Sequence, residues 1–396
     1  MNRQTLRQLQ TPAGQALLQA AQALAPREED FLKHFQVLSR QHPAELARAA
    51  LEIAILRLAA QAKFPFAGKL YFTRPALEQA SSYAVSSYRS ARFQGYERIL
   101  DLGCSVGGDS LALAEISQVI GVDLDGLRLE MARLNLDALG LGERANWLQA
   151  DLTQPLPLKP SRDTAIFFDP ARRAGERRLR HVEDYQPPLS VIESWLEKTH
   201  AIAVKLSPGL DLRQVEQYGG EVEFISLAGE LKEAVLWLGP FKTCARRATL
   251  LPGGQALTGC HTLVAGDESP LPLSEPLGYI YEPDPAVLRA GLVRSLGHQL
   301  GAAQLDPDIA YLTAAGRIET PFARGWQVAD WFPFQLKGLR RYLREHGIGQ
   351  VTVKKRGSPL EPESLIQSLK LKGDLQRVLF LTHLRGRPIV IVALPD

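Results

Sequence analysis

Apolar residues recur at helical spacing through the first ninety positions: Leu6, Leu9, Leu17, Leu18 and Ala21, then Leu51, Ile55, Leu58 and Ala59. Side chains three and four apart share one face, so this region predicts helices with a buried side. From Glu97 the rhythm changes. Short apolar runs at 98–102, 146–150, 164–168 and 201–206, and one ending on Asp123, alternate with helix-patterned stretches at 109–114, 127–139 and 189–197. Two closely spaced runs, 223–227 and 234–238, follow. Strands and helices in alternation predict a parallel sheet covered by helices. Residues 241–276 are broken by proline and glycine and read as a connector with short β-like runs such as 248–251. Beyond it the pattern is mixed: helix 286–300, strand 326–332, helix 335–345, strand 351–354, helix 362–369, then strands 377–382 and 388–394. The expected division is an N-terminal helical region over 1–90, an α/β domain over 91–240, the connector, and an α+β domain over 277–396.

The stretch 97–123, ERILDLGCSVGGDSLALAEISQVIGVD, is a strand, a glycine-rich turn, a helix and a second strand. Ligands of such sheets sit outside the carboxyl ends of the strands. A dinucleotide fingerprint would need glycine where Ser105 stands. A phosphate-binding P-loop would need lysine where Asp109 stands, and a carboxylate there repels a triphosphate. Asp101 and Asp109 instead suit a ligand carrying positive charge, as S-adenosylmethionine does through its sulfonium and ammonium. Asp101-Leu-Gly103-Cys104-Ser105-Val-Gly107 resembles the D-x-G-x-G-x-G signature of class I S-adenosylmethionine-dependent methyltransferases, with Ser105 in place of the middle glycine. The resemblance implies a Rossmann-like seven-stranded sheet that ends in a hairpin. It implies ribose contacts at Asp123 with Leu124 beside it, and an adenine-flanking pair at Asp151 and Leu152. The bland alternative is that these aspartates cap helices and turns.

In that family the fourth strand ends at the reacting centre. Here it runs AIFFDPARR, and Asp169-Pro170-Ala171-Arg172 resembles the [D/N]-P-P-aromatic motif of enzymes that methylate exocyclic base amines. Ala171 and Arg172 depart from it, although a guanidinium also stacks on bases. A second resemblance competes. Asp169, Lys205 at the end of the fifth strand and Glu233 before the last strand are similar to three members of the Lys-Asp-Lys-Glu set of ribose 2′-O-methyltransferases. The fourth member would come from the N-terminal region, with Lys69 and Arg74 as candidates. No cysteine stands beside Asp169-Pro170, which disfavours methylation of a pyrimidine carbon through a cysteine adduct.

Charge adds a substrate class. The chain of 396 residues has a net charge of only +3, so a polyanionic partner must be argued from clusters. Arg172, Arg173, Arg177, Arg178 and Arg180 follow the expected reacting centre. Lys337, Arg340, Arg341 and Arg344 share a face of the 335–345 helix, and Lys354-Lys355-Arg356 comes next. The C-terminal element order and VKKRG resemble small THUMP-like domains of RNA-modifying enzymes, which implies RNA as partner. Either cluster alone is compatible with a solvated face. Three cysteines without metal spacing give neither a zinc site nor a disulfide framework, and no metal is expected. No apolar run is long enough to span a membrane, so a cytoplasmic enzyme without a membrane partner is expected. The competing readings are a methyltransferase of a small metabolite or protein side chain, and a cofactor-binding module without catalysis.

Overall fold

A computed structural model describes residues 1–158, 161–174, 177–253 and 260–395, with Arg173, Ala174 and Arg178 described by their backbone alone. Two compact units emerge. The first holds residues 1–222, 232–243 and 251–259; the second holds 223–231, 244–250 and 260–396.

The first unit begins with helices. Asn2 caps α1 (Arg3–Leu9) by accepting from the Thr5 N–H, and Thr11 caps α2 (Pro12–Ala23), which opens on proline. A Cβ on Gly14 would lie 2.2 Å from the Gln8 carbonyl, so only glycine lets the two helices join so closely. α3 (Phe31–Leu38) and α4 (Ala44–Ala60) follow. α4 is buried on most of its circumference through Ala47, Ala50, Leu51, Ile53, Ala54 and Leu56. The short α5 (Arg74–Gln79) and α6 (Tyr83–Ser90) lead into the sheet.

Strands β1 (Arg98–Leu102), β2 (Gln118–Asp123), β3 (Ala145–Gln149), β4 (Thr164–Phe168) and β5 (Ile202–Leu206) are parallel, with α7 (Gly108–Ala114), α8 (Gly126–Asp137) and α9 (Ile192–Leu196) in the crossovers. β6 (Glu221–Leu227) straddles the division between the units. A turn at Ala228 and Gly229, both at positive φ, joins it to β7 (Glu230–Trp237), the geometry of a tight hairpin. Within the first unit the strand order is β7-β5-β4-β1-β2-β3, and β7 runs antiparallel to β5. The order is that of the class I sheet expected from the sequence, but the whole sheet has nine strands and not the expected seven. Strand register brings Leu102 level with Val122 and Phe168, and Leu206 level with Ala234. Asp123, Asp169, Lys205 and Glu233 therefore all fall at one edge of the sheet.

The second unit has its own sheet. β8 (Arg246–Leu251) pairs with β9 (His261–Val264). Then come β10 (Tyr279–Pro283), α10 (Pro285–Arg289), α11 (Val293–Leu300), β11 (Ala303–Gln304), β12 (Leu312–Ala314), β13 (Ala323–Pro333), α12 (Leu336–Glu345), β14 (Ile348–Lys355), α13 (Pro362–Leu369), β15 (Leu375–Leu384) and β16 (Arg387–Ala393). The last seven strands form one sheet in the order β11-β12-β10-β13-β16-β15-β14. Both of its faces are covered, so β15 and β16 are buried without a break over 378–382 and 389–393, their side chains alternating between two clusters. Phe380, Ile389 and Ile391 join Tyr311 and Trp326 on one face. Leu379, Leu381, Val390 and Val392 join Leu339, Leu343, Leu365 and Leu369 of α12 and α13 on the other.

Candidate active site

The turn after β1 is shaped by three left-handed residues: Gly103 at φ 82°, Ser105 at φ 51° and Gly107 at φ 78°. Ser105 thus adopts the conformation that glycine would supply, at a cost of about 1–2 kcal/mol. Its N–H donates to Asp123 Oδ2 at 2.9 Å, which helps hold it there. A Cβ on Gly103 would stand 2.5 Å from the Asp169 carbonyl, so glycine lets the turn abut the end of β4. The Gly103 and Cys104 N–H groups donate to the Val122 carbonyl at 2.8 and 3.1 Å, tying the turn to β2.

Asp123 ends β2 almost buried. Each of its oxygens accepts one backbone N–H, Oδ2 from Ser105 and Oδ1 from Asp125 at 2.8 Å. A carboxylate accepts about four hydrogen bonds, so capacity remains for two ligand hydroxyls. Burial raises its pKa, while the two N–H donors pull the other way. Leu124, next to it, is 67% exposed, an apolar surface at the rim. Asp151 is exposed and accepts from the backbone and hydroxyl of Thr153, closing its own turn, while Leu152 is buried.

Asp101 lies beneath the turn with no solvent contact. Burial, and then Asp109, push its carboxyl up to about 8, against the Ser110 hydroxyl that donates to Oδ2. Its Oδ1 has no hydrogen-bond partner. Cys104 is also buried. Burial first, then Asp101 and Asp123, push its thiol well above the ordinary value, leaving it a packing residue and not a nucleophile.

The charged groups at the ends of β4, β5 and β7 form one chain. Lys205, 2% exposed, donates through Nζ to Asp169 Oδ2 at 2.6 Å and stands 3.7 Å from Asp109 Oδ2. Asp109 accepts from Arg89, and Arg89 also donates to Glu233. Glu233 further accepts from the Ser81 hydroxyl at 3.0 Å. Arg89 is 2% exposed, with its guanidinium 4.4 Å from the centre of the Phe167 ring. The sequence gives little sign of Arg89, which stands in a polar helix outside every motif. Of the other N-terminal cations, Arg74 pairs with Glu28 at the surface. Lys63 donates to the carbonyls of Leu77, Glu78 and Ala80, fixing the segment that carries Ser81. Burial, then Lys205 and Lys232, hold Lys63 below its ordinary pKa. Pro170 follows Asp169, and Arg172 donates to the Leu206 carbonyl at 2.7 Å, bracing the exit of β4 against that of β5. The Arg173 side chain lies outside the described residues. In the second unit Lys337, Arg341 and Arg344 of α12 are exposed, whereas Arg340 donates to the Ser368 carbonyl at 2.6 Å.

Comparisons with known proteins identify the family. A family model described as a methyltransferase domain matches residues 99–181, one described as THUMP domain-like matches 323–395, and a domain of unknown function matches 2–60. An uncharacterized S-adenosylmethionine-dependent methyltransferase of Mycobacterium tuberculosis is 36% identical over 322 residues, which span 79% of this chain and 84% of that protein. The chain belongs to the S-adenosylmethionine-dependent methyltransferases. The methyltransferase also shares its fold with a crystal structure of a candidate methyltransferase from Porphyromonas gingivalis W83, at a TM-score of 0.79 and 23% identity, over 96% of this chain and 98% of that one. A shorter similarity links it to the 23S rRNA (uracil(1939)-C(5))-methyltransferase RlmD of Pseudomonas aeruginosa, 38% identical over 90 residues, 22% of this chain and 20% of that protein. Its cofactor is S-adenosylmethionine, and the residues at the turn suit that group. The ribose needs a carboxylate with spare acceptor capacity, which Asp123 has, and the adenine needs apolar surface, which Leu124 offers. The ammonium needs a nearby acceptor, and Asp101 keeps an unpartnered oxygen. Among the described residues no helix of the methyltransferase is long and apolar enough to cross a membrane, and no His, Cys, Asp and Glu cluster is placed to hold a metal.

Proposed function

We propose that the methyltransferase acts on RNA, and that the accepting group is an exocyclic amine of a base. The observation that carries this reading is the pair Lys205–Asp169, at 2.6 Å, beside the cofactor turn. S-adenosylmethionine supplies the electrophilic methyl group, held by Asp123, Leu124, Asp101, Gly103, Cys104, Ser105 and Gly107, with Asp151 and Leu152 flanking. Asp169, fixed through one oxygen and 23% exposed at its side chain, accepts a hydrogen bond from the incoming amine together with the Pro170 carbonyl. That contact aims the nitrogen lone pair, and orientation supplies most of the acceleration. Glu233 is taken up by Arg89 and Ser81 and not by a second lysine, which counts against a ribose hydroxyl. A pyrimidine carbon is disfavoured because no cysteine stands beside Asp169-Pro170, and Cys104 in the cofactor turn is buried.

RNA as the substrate is supported by the THUMP-like match, by the similarity to an rRNA methyltransferase and by the exposed cations Lys337, Arg341 and Arg344. Arg172 follows the reacting centre and, beyond its bond to the Leu206 carbonyl, would offer its guanidinium to the base or its phosphates, and Arg173 stands next to it in the sequence. The test is transfer of labelled methyl from S-adenosylmethionine to RNA from a strain lacking the gene, followed by nucleoside analysis. A base methylated on an exocyclic nitrogen is the expected product. A 2′-O-methyl nucleoside would replace the amine reading. Label appearing in a small-molecule or protein fraction and not in RNA would overturn the substrate class.

A further inference from the structure

We propose that Arg89 is a positioning residue of the reaction centre: by neutralising Asp109 it leaves Lys205 to hold Asp169. The inference rests on the reading of Asp169 as the group that receives the acceptor. It begins from a competition between two carboxylates for one ammonium. Lys205 Nζ lies 2.6 Å from Asp169 and 3.7 Å from Asp109. Asp109 is the more buried of the two, 11% exposed at its side chain against 23% for Asp169. A buried charge without a partner is far costlier than one that water reaches. On that ground alone Lys205 should favour Asp109, yet it sits closer to Asp169. The difference is Arg89, whose Nη2 donates to Asp109 and whose Nη1 donates to Glu233.

The side chain is built to stay there. It is 2% exposed and lies over the face of Phe167, a residue of β4, the strand that Asp169 follows. Its helix packs against α7, which follows the cofactor turn, and the chain leading to it is close by: a Cβ on Gly108 would touch Ala80 and Phe64 at 3.7 and 3.6 Å. Ser81 and Lys63 fix the entry to that helix. The N-terminal helical region therefore supplies a charge on which the geometry at the end of β4 depends. Without Arg89, Lys205 turns to Asp109, and Asp169 is left to water with its rotamer unfixed.

Three variants test this: Arg89→Gln, Arg89→Lys, and Arg89→Gln combined with Glu233→Gln. The double variant removes the charge that Arg89→Gln would strand on Glu233, so that a failure of the single variant to fold does not end the test. Crystal structures of the folded variants should show Lys205 Nζ bonded to Asp109 and withdrawn from Asp169 when residue 89 is Gln. It should remain on Asp169 when residue 89 is Lys. Methyl transfer to RNA should fall at least roughly tenfold in kcat, the scale of a small misplacement of a reacting group, with KM for RNA nearly unchanged and partial rescue by Arg89→Lys. Lys205 still on Asp169 in the double variant would overturn the proposal. So would a loss of kcat that merely follows a loss of S-adenosylhomocysteine affinity measured by calorimetry. If the wild type itself labels no RNA, the substrate reading falls, and the crystallographic comparison still decides the role of Arg89.

Discussion

Asp101 and Asp123 stand one strand apart under the same turn, and their environments set them different tasks. Asp123 already carries two backbone donors, and the ribose hydroxyls would add hydrogen bonds worth about 1.5–3 kcal/mol each to a charged acceptor. Asp123→Ala should weaken S-adenosylmethionine binding at least about tenfold by calorimetry in a protein with an unchanged circular dichroism spectrum. Unchanged affinity would remove Asp123 from the cofactor site. Asp101 has no such donors beyond Ser110, and burial, then Asp109, push its carboxyl up to about 8. A raised folded pKa means that the folded chain binds the proton more tightly than the unfolded one. Its contribution to stability is thus present at low pH and is lost as pH rises from about 4 toward 8. A cationic ligand prefers the ionised carboxyl, so cofactor affinity should instead rise with pH over the upper part of this window. Binding near pH 7 should release a proton, measurable as a dependence of the calorimetric enthalpy on buffer ionisation. Asp101→Asn should abolish both the proton release and its share of the pH dependence. These acids were legible because the turn is a local pattern with fixed spacing. Arg89 was not, because its partners lie 20 and 144 positions away and nothing near it in the chain marks it.

At the scale of elements, legibility followed the strength of the periodic signal. The parallel strands and the helix Pro362–Leu369 fall where the apolar pattern put them, within a residue or two. The stretch 286–300, expected as one helix, is two, because Gly291 at φ 68° ends α10 before α11 begins. Strands β10, β11 and β12 gave too short a pattern to read, two to five residues each, and are held by pairing with distant neighbours. α12 shows what periodicity does and does not settle. Leu339 and Leu343 pack inward as the spacing required, yet of the four cations on the neighbouring face Arg340 is committed to α13. Lys337→Gln, Arg341→Gln and Arg344→Gln together should therefore lower RNA affinity and flatten its dependence on salt. If all three meet phosphates, the slope of log affinity against log salt should drop by roughly 2. Cofactor affinity should not change. Equal RNA binding by variant and wild type at low and high salt would make this face a solvated surface only.

On the scale of the whole molecule, the order of segments in the chain and the order of units in space differ. Residues 223–231 and 244–250 cluster with 260–396, so the second unit is assembled from pieces that interrupt the first. A composition-based reading sees proline and glycine over 241–276 and expects a linker there, because it has no means of registering contacts made across the chain. Within the second unit those contacts are definite. Arg246 donates to the carbonyls of Ala290 and Gly291 at 2.8 and 3.1 Å and pairs with Glu268. Arg289 lies 5.9 Å from the ring centre of Phe224, and Thr249 donates to the buried Glu223. A chain ended after residue 276 keeps Arg246 and Phe224 but loses Arg289, Ala290 and Gly291. It should strip Arg246 of two of its acceptors and uncover apolar surface of the 223–231 segment, which includes the buried Phe224. Exposing a buried side chain of that size costs about 1.5–3 kcal/mol. At about 2.1 cal/mol/K per residue, every kcal/mol lowers the unfolding midpoint of a chain of 396 residues by roughly 1 °C. The shortened chain should therefore unfold a few degrees below the full chain, or accumulate as aggregate, even though every residue of the cofactor turn is retained. Calorimetric unfolding of both chains, each with and without S-adenosylhomocysteine, checks this. A 1–276 chain that stays monomeric, binds the cofactor as the full chain does and unfolds at the midpoint of the full chain's own transition would show that the second unit is dispensable to the first.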